Sequence, residues 1–160
     1  MWHVTGRPLI SDELANFLES GLSINVGTRD DELQPDGAIV WAVHVHDDRA
    51  QLTIYLHKDA ARAMLRNLRA HPGIAVLFER PTSHRACQVK GRFVSTRPAR
   101  TTERAEVERQ VDSFFTDLEG IGIPRAMVDG LEIWPCVAIQ LRADQLFEQT
   151  PGPGAGERLR

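Results

Sequence analysis

Apolar and polar residues alternate along this chain with two different periods, and the switches between them mark its elements. Leu14, Phe17 and Leu18 recur at helical spacing behind Ser11, Asp12 and Glu13, a capping hydroxyl followed by two carboxylates, and Gly21 ends the run. Leu22 to Thr28 is a β-type stretch, and Asp30 to Gly37, with Pro35 inside it, reads as the connection that follows. From Ile39 to His46 the alternation is strict, with Trp41, Val43 and Val45 on one face and Ala42, His44 and His46 on the other. Asp47 to Ala50 supplies a turn and Gln51 to His57 returns as a strand, so residues 39–57 predict a hairpin. Ala60 to Leu68 has helical periodicity, and His71, Pro72 and Gly73 stop it.

The second half repeats this grammar. Ile74 to Phe78 is a compact apolar strand, Glu79 to Arg85 a loop, and Ala86 to Val94 a strand whose Val89 and Phe93 suit a core. Gly91 within it predicts a bulge or a close backbone approach. Thr101 to Leu118 predicts an amphipathic helix capped by Thr101 or Thr102 and ended near Gly120, and Leu131 to Leu141, containing Trp134 and Pro135, predicts the last strand. Thr150 to Arg160 carries three Gly and two Pro and predicts an extended tail. At 160 residues the chain has the size of one domain, divided here into residues 1–149 and the tail 150–160. Antiparallel hairpins in place of regular βαβ units predict a mainly β protein with flanking helices, a small antiparallel barrel with helices packed outside it. No GxGxxG follows a strand, and the chain has no Walker loop, GxSxG elbow, HExxH or internal repeat.

Charge sharpens this picture. Between Lys58 and Arg104 lie eleven of the nineteen Lys and Arg residues, opposed only by Asp59, Glu79 and Glu103, while the remainder of the chain is acidic. Such concentration suits an anion, or else a solvated basic helix facing acidic neighbours. Arg62, Arg66 and Arg69, at spacings of four and three, give one helix a cationic face. The only aromatic residues in the basic segment are Phe78 and Phe93, both suited to a core, so stacking platforms for a nucleic acid are missing and a compact anion fits better than a polymer. No apolar run reaches the length of a membrane helix, and Met1 to Ile10 lacks a basic region followed by an apolar stretch, which predicts a cytoplasmic protein with no membrane partner. Cys87 and Cys136 are too few and too isolated for a disulfide framework or a zinc site, and are expected to be reduced and buried. His44 and His46 share a strand face with His57 within reach across the hairpin, but the downstream carboxylate that would complete a metal site of HxH type is replaced by Gln51, and no metal is expected.

The order of pieces resembles the pyridoxamine 5′-phosphate oxidase-like FMN-binding split barrels: SDELANFLESG, SINVGTRD, a loop with PDG, AIVWAVHV, LTIYLHK, AARAMLRNLRAHPGIAVLF, PTSHRACQVKGRF, the strand VAIQL and the tail FEQTPGPGAG. The resemblance covers nearly the whole chain and implies a six-stranded antiparallel Greek-key split barrel that forms a homodimer with flavin sites at the subunit interface. It places the FMN phosphate at His57, Lys58, Arg62 and Met64, the strand around Trp41 along the isoalloxazine edge, and Gln88 and Lys90 near the ring or phosphate. Family oxidases often carry Ser near position 62 and Lys near position 64, where this chain has Arg62 and Met64. The residues themselves point the same way, because Lys58, Arg62 and Arg66 lie in the first turns of a helix, whose free N–H groups and dipole favour a phosphate. The Arg-rich signature that reads the substrate phosphate in true pyridoxamine 5′-phosphate oxidases is not evident in LFEQTPGPGAG. The resemblance therefore implies an FMN-dependent oxidoreductase of some other small molecule. The alternative is a non-catalytic carrier of flavin (FMN or FAD), of deazaflavin or of haem, with His44, His46, His57 or His84 as axial ligands in the haem version.

Overall fold

The computed structural model describes residues 8–160. The first seven residues of the expected 1–149 unit therefore lie outside the described residues. Seven strands form one antiparallel sheet: β1 (Ser23–Arg29), β2 (Pro35–Val40), β3 (Ala42–Val45), β4 (Gln51–His57), β5 (Gly73–Glu79), β6 (Ala86–Pro98) and β7 (Cys136–Glu148), in the spatial order β2-β1-β5-β6-β7-β4-β3. β5 returns beside β1 after the β3–β4 hairpin and the helix behind it, a Greek-key step. β2 and β3 occupy opposite edges of the sheet yet are consecutive in sequence, joined through Trp41 alone, so the chain itself closes the curled sheet. This is the expected mainly β split barrel with three helices, α1 (Asp12–Leu18), α2 (Lys58–Ala70) and α3 (Arg104–Gly120).

The count of strands differs from the expected six because the strand predicted from residue 39 to 46 breaks at Trp41. Val40 and Val43 point into the barrel, whereas Trp41 and Ala42 both join the cluster outside it. Two consecutive outward residues interrupt the period of two, which corrects the assignment of Trp41 to the face of Val43 and Val45. The Trp41 N–H still donates to the Tyr55 carbonyl at 2.8 Å, so the chain stays attached to β4 while it turns the corner.

The barrel interior is built from alternate residues of every strand, among them Val26, Ile54, Phe78, Val89 and Leu141, all buried. Each such aliphatic or aromatic side chain withdrawn from water contributes about 1.5–3 kcal/mol. α1 and α2 complete this interior with Phe17 and Leu18 and with Ala61, Met64 and Leu68. α1 forms because the Ser11 hydroxyl accepts from the Leu14 N–H at 3.1 Å and Asp12 and Glu13 meet the positive end of the helix. α2 adds a polar lock: the buried Thr28 hydroxyl donates to the Met64 sulfur at 3.3 Å and accepts from the Asn67 side-chain amide at 3.1 Å.

Four other expectations are revised. β6 continues past Val94 to Pro98, because register shifts at Lys90/Gly91 and Phe93/Ser95 change which residues face inward and hide the strand from an alternation test. The first shift needs Gly91, where a Cβ would stand 2.0 Å from the Arg142 carbonyl oxygen. The last strand begins at Cys136, not Leu131, and runs to Glu148; Pro135 has no N–H for a ladder, and its carbonyl instead accepts from the Lys58 N–H at 3.0 Å. Neither Thr101 nor Thr102 caps α3. A 3₁₀ turn (Thr101–Glu103) precedes it, and the Glu103 carboxylate accepts from the Arg100 N–H at 2.7 Å. Finally, the tail is not extended: it turns through Gly152 and Gly156, and the Gly156 and Leu159 N–H groups donate to the Glu148 and Leu146 carbonyls at 2.7 and 2.8 Å.

Candidate functional site

α3 divides the outside of the barrel into two regions. Over β3, β4 and the first part of β7 it seals a second core in which Val107, Val111 and Phe115 pack on Trp41, Ala42, Tyr55, Cys136 and Ala138. Phe115 meets Trp41 edge to face, with ring centroids 6.2 Å apart. The buried Gln110 side chain accepts from the Val43 N–H at 3.1 Å and donates to the Val43 carbonyl at 2.8 Å, so α3 supplies the ladder partner that the edge strand β3 would otherwise lack.

The other outer wall, over β2, β1, β5 and β6, is open or half-open to solvent. Strand register assembles its outward residues into rows. One row runs Ile39, Asn25, Leu77, Gln88, Phe147, and the next runs Gly37, Gly27, Ala75, Lys90, Gln145. The second row has almost no side chains at its β2–β1–β5 end, and a Cβ added at Gly27 would meet nothing within 4 Å. It is a flat floor beside the exposed Lys90 and Arg92, with Lys90 lying 4.9 Å above the Phe147 ring.

The residues singled out by sequence fall into two groups. His57, Lys58 and Arg62 gather at the corner where β4 runs into α2. His57 caps α2 weakly, its Nδ1 accepting from the Asp59 N–H at 3.4 Å, and its imidazole lies 3.8 Å from Asp59 and 3.9 Å from Glu132. Lys58 is exposed, and Arg62 is 81% exposed and 3.2 Å from Asp59. Two cations therefore stand at a helix start, but the Asp59 carboxylate stands there too and offsets part of their attraction for an anion. Met64, by contrast, is buried in the barrel, and the Trp41 indole is buried under α3. Arg66 is exposed and lines a cleft with Asp30, Asp31 and Asp36, which matches the solvated basic helix against acidic neighbours.

Gln88 and Lys90 belong to the other group, on the open wall. His57 pairs with Cys136 beside the Pro98 end of β6, whereas Gln88 and Lys90 pair with Phe147 and Gln145 toward its other end, roughly 25–30 Å away along the strand, so the six residues do not surround one compact point within a single protomer. Sequence reasoning missed Asn25, Gly27, Gly37 and Ala75 as neighbours of Lys90. The signal present was Gly27 inside the β1 run; Gly37 was hidden because the expected connection Asp30 to Gly37 is shorter in the structure, where β2 already begins at Pro35.

Sequence reasoning also missed an ionic cluster beside the α3 start. Arg97 donates twice to Glu103, at 2.6 and 2.8 Å, and the Tyr55 hydroxyl donates to the same carboxylate at 2.9 Å. The Arg97 guanidinium holds the Glu103 carboxyl down to about 2. Burial, and then Glu103, pushes the Tyr55 phenol up. Cys87 and Cys136 are buried free thiols whose burial raises each to about 12, a core role with no nucleophilic character. His44 pairs with Glu19 at 3.2 Å, and the His46 Nε2 lies 2.7 Å from the Thr53 hydroxyl. Among the described residues no helix is long and apolar enough to cross a membrane.

The topology and the two-walled barrel define the chain as an antiparallel split barrel. No family model and no curated protein matches the sequence. Among solved structures, the chain is similar to a protein related to general stress protein 26 of the pyridoxinephosphate oxidase family from Clostridium acetobutylicum, with a TM-score of 0.57 and 12% identity over 92% of each chain. It is similar to an F420 reductase, with a TM-score of 0.56 and 17% identity over 86% of this chain and 98% of the other. It is also similar to HupZ of Group A Streptococcus, with a TM-score of 0.55 and 15% identity over 92% of this chain and 99% of the other. At these identities the likeness is one of fold.

Proposed function

We propose that this protein is a flavin-binding split barrel, acting as a cytoplasmic homodimer and using its flavin to oxidise or reduce a small molecule. The observation that carries this reading is the flat, side-chain-poor outer wall at Gly37, Gly27 and Ala75, bordered by Asn25, Gln88 and Lys90. A planar ring lies on such a floor without displacing side chains, while amide and ammonium groups at its border reach ring carbonyls and nitrogens. The names of two structural neighbours, an F420 reductase and a member of the pyridoxinephosphate oxidase family, support a flavin or deazaflavin as the class of ligand. The phosphate of FMN meets Lys58 and Arg62, the exposed cations at the start of α2. When bound, flavin supplies hydride or electron transfer, and the chain supplies orientation and exclusion of water.

The same wall supports the homodimer reading. Ile39 is 52% exposed, and Leu77 and Phe147 are half-buried in its row, so a second copy laid on it would cover apolar surface and would bring the α2 corner of one protomer toward Gln88 and Lys90 of another. A second reading, a haem carrier on the same fold, draws on His44, which is oriented by Glu19 and remains 58% exposed.

The test is to add FMN, riboflavin, a deazaflavin or haem to purified protein, desalt, and record the absorbance retained. Retained flavin with turnover of reductants supports the enzyme, retained flavin without turnover supports a carrier, and a retained haem band supports the second reading. Arg62→Glu is expected to weaken FMN by about tenfold or more while leaving riboflavin, which has no phosphate, unaffected. Equal FMN affinity in Arg62→Glu and the parent protein would overturn the phosphate assignment.

A further inference from the structure

Where the sealed and open walls meet, the surface holds a cavity of about 180 Å³. Phe114, Phe115 and Leu118 of α3 form one side, Trp41 and Ile39 the other, and Leu131 of the connection into β7 reaches over it. Among the described residues, Ser23 and Asn25 are the only polar ones on the lining, and no charged residue contributes to it. Asn25 also borders the flat row described above, so the cavity opens beside the proposed ring floor.

Size and chemistry together select the occupant. Pockets for drug-sized ligands span roughly 300–1,000 Å³, so this one is too small for a whole cofactor. An apolar cavity of about 150 Å³ lined by Leu, Ile and Phe in another protein stays dry and takes up benzene. Leu131 at the rim is 48% exposed, which leaves aliphatic surface in water that a ligand would cover. A charged ligand would lose its hydration here with nothing to replace it.

We infer that this cavity is a binding site for an uncharged apolar molecule, or part of a molecule, the size of a single ring, with Ser23 and Asn25 as hydrogen-bonding positions for one neutral polar substituent. Resting on the flavin reading, it receives the apolar end of the substrate. The site itself does not depend on that reading, because its occupancy is measurable with no flavin present.

The experiment titrates the protein with toluene and, separately, with benzoate, following methyl and aromatic resonances by NMR. Saturable shifts of Leu118, Leu131 and Phe115 with toluene, and binding of benzoate weaker by about tenfold or more, are expected. Leu118→Trp fills the cavity and is expected to abolish toluene binding. Leu131→Trp, at an exposed position, closes the mouth with the same result should the first variant fail to fold. FMN retention is measured on the same proteins, so failure of the flavin reading and failure of this site are read separately. Absence of saturable toluene binding up to its solubility, unchanged binding in a folded Leu118→Trp or Leu131→Trp protein, or equal affinity for benzoate would overturn the inference.

Discussion

On the sealed wall the outward residues Ala42, Tyr55, Ala138 and Cys136 are all buried beneath α3; on the open wall their counterparts Ile39, Asn25, Gly37 and Lys90 are exposed. Both walls belong to one sheet and share one interior. The sealed wall is apolar and adapted to a helix of its own chain, with Gln110 satisfying the β3 edge. The open wall mixes glycines, amides, cations and isolated aliphatics, and no helix among the described residues seals it as α3 seals the first. A substitution on the first wall should therefore be felt in stability, and one on the second in association and ligand affinity.

The largest stability effect is expected at Phe115, whose truncation to Ala empties the centre of the second core and should cost about 3–5 kcal/mol in denaturant unfolding. A loss below about 1 kcal/mol would mean that α3 is not an integral part of the sealed wall. Gln110→Leu should cost about 2–3 kcal/mol, because it leaves the Val43 N–H and carbonyl without their partner, and hydrogen exchange at Val43 should accelerate. Next comes pH. The folded Glu103 carboxyl lies at about 2, below its ordinary 4.5, so its ionised form is favoured by folding. Its stabilisation is fully present above pH 4.5 and is lost as pH falls toward 2. Glu103→Gln should be less stable at neutral pH and should flatten the decline of stability across that window; an unchanged acid profile would remove the Arg97–Tyr55–Glu103 cluster from the account. The smallest stability effect is expected on the open wall, where Ile39→Lys should alter unfolding by no more than about 0.5 kcal/mol. The same substitution should shift sedimentation from dimer to monomer. A stability loss as large as that of Phe115→Ala would erase the distinction between the walls.

The legible part of this architecture was local. Capping at Ser11, the stop at His71–Pro72, the β3–β4 turn and the anomaly at Gly91 are decided by neighbours within a few residues, and the sequence reading located each one. The misread parts share a different cause. Trp41 turns outward because one strand has to serve both edges of a closing sheet, and β6 runs on through two shifts because its partner β7 curves with the barrel. The tail returns because β7 offers it carbonyls at Leu146 and Glu148. None of these forces acts between residues close in sequence.

The candidate site divides in the same way. The concentration of cations from Lys58 to Arg104, the apolar periodicities and the order of elements were determined by the sequence alone, and they were sufficient for an antiparallel barrel with helices outside it. Only the tertiary structure decided that Lys90 and Gln88 lie toward the far end of β6 from the α2 corner, and that Gly27 and Gly37 pair to make a flat floor next to an apolar cavity. The physical reason is that periodicity reports which face of an element is apolar. Which elements share a row is fixed by hydrogen-bond register between strands far apart in the chain.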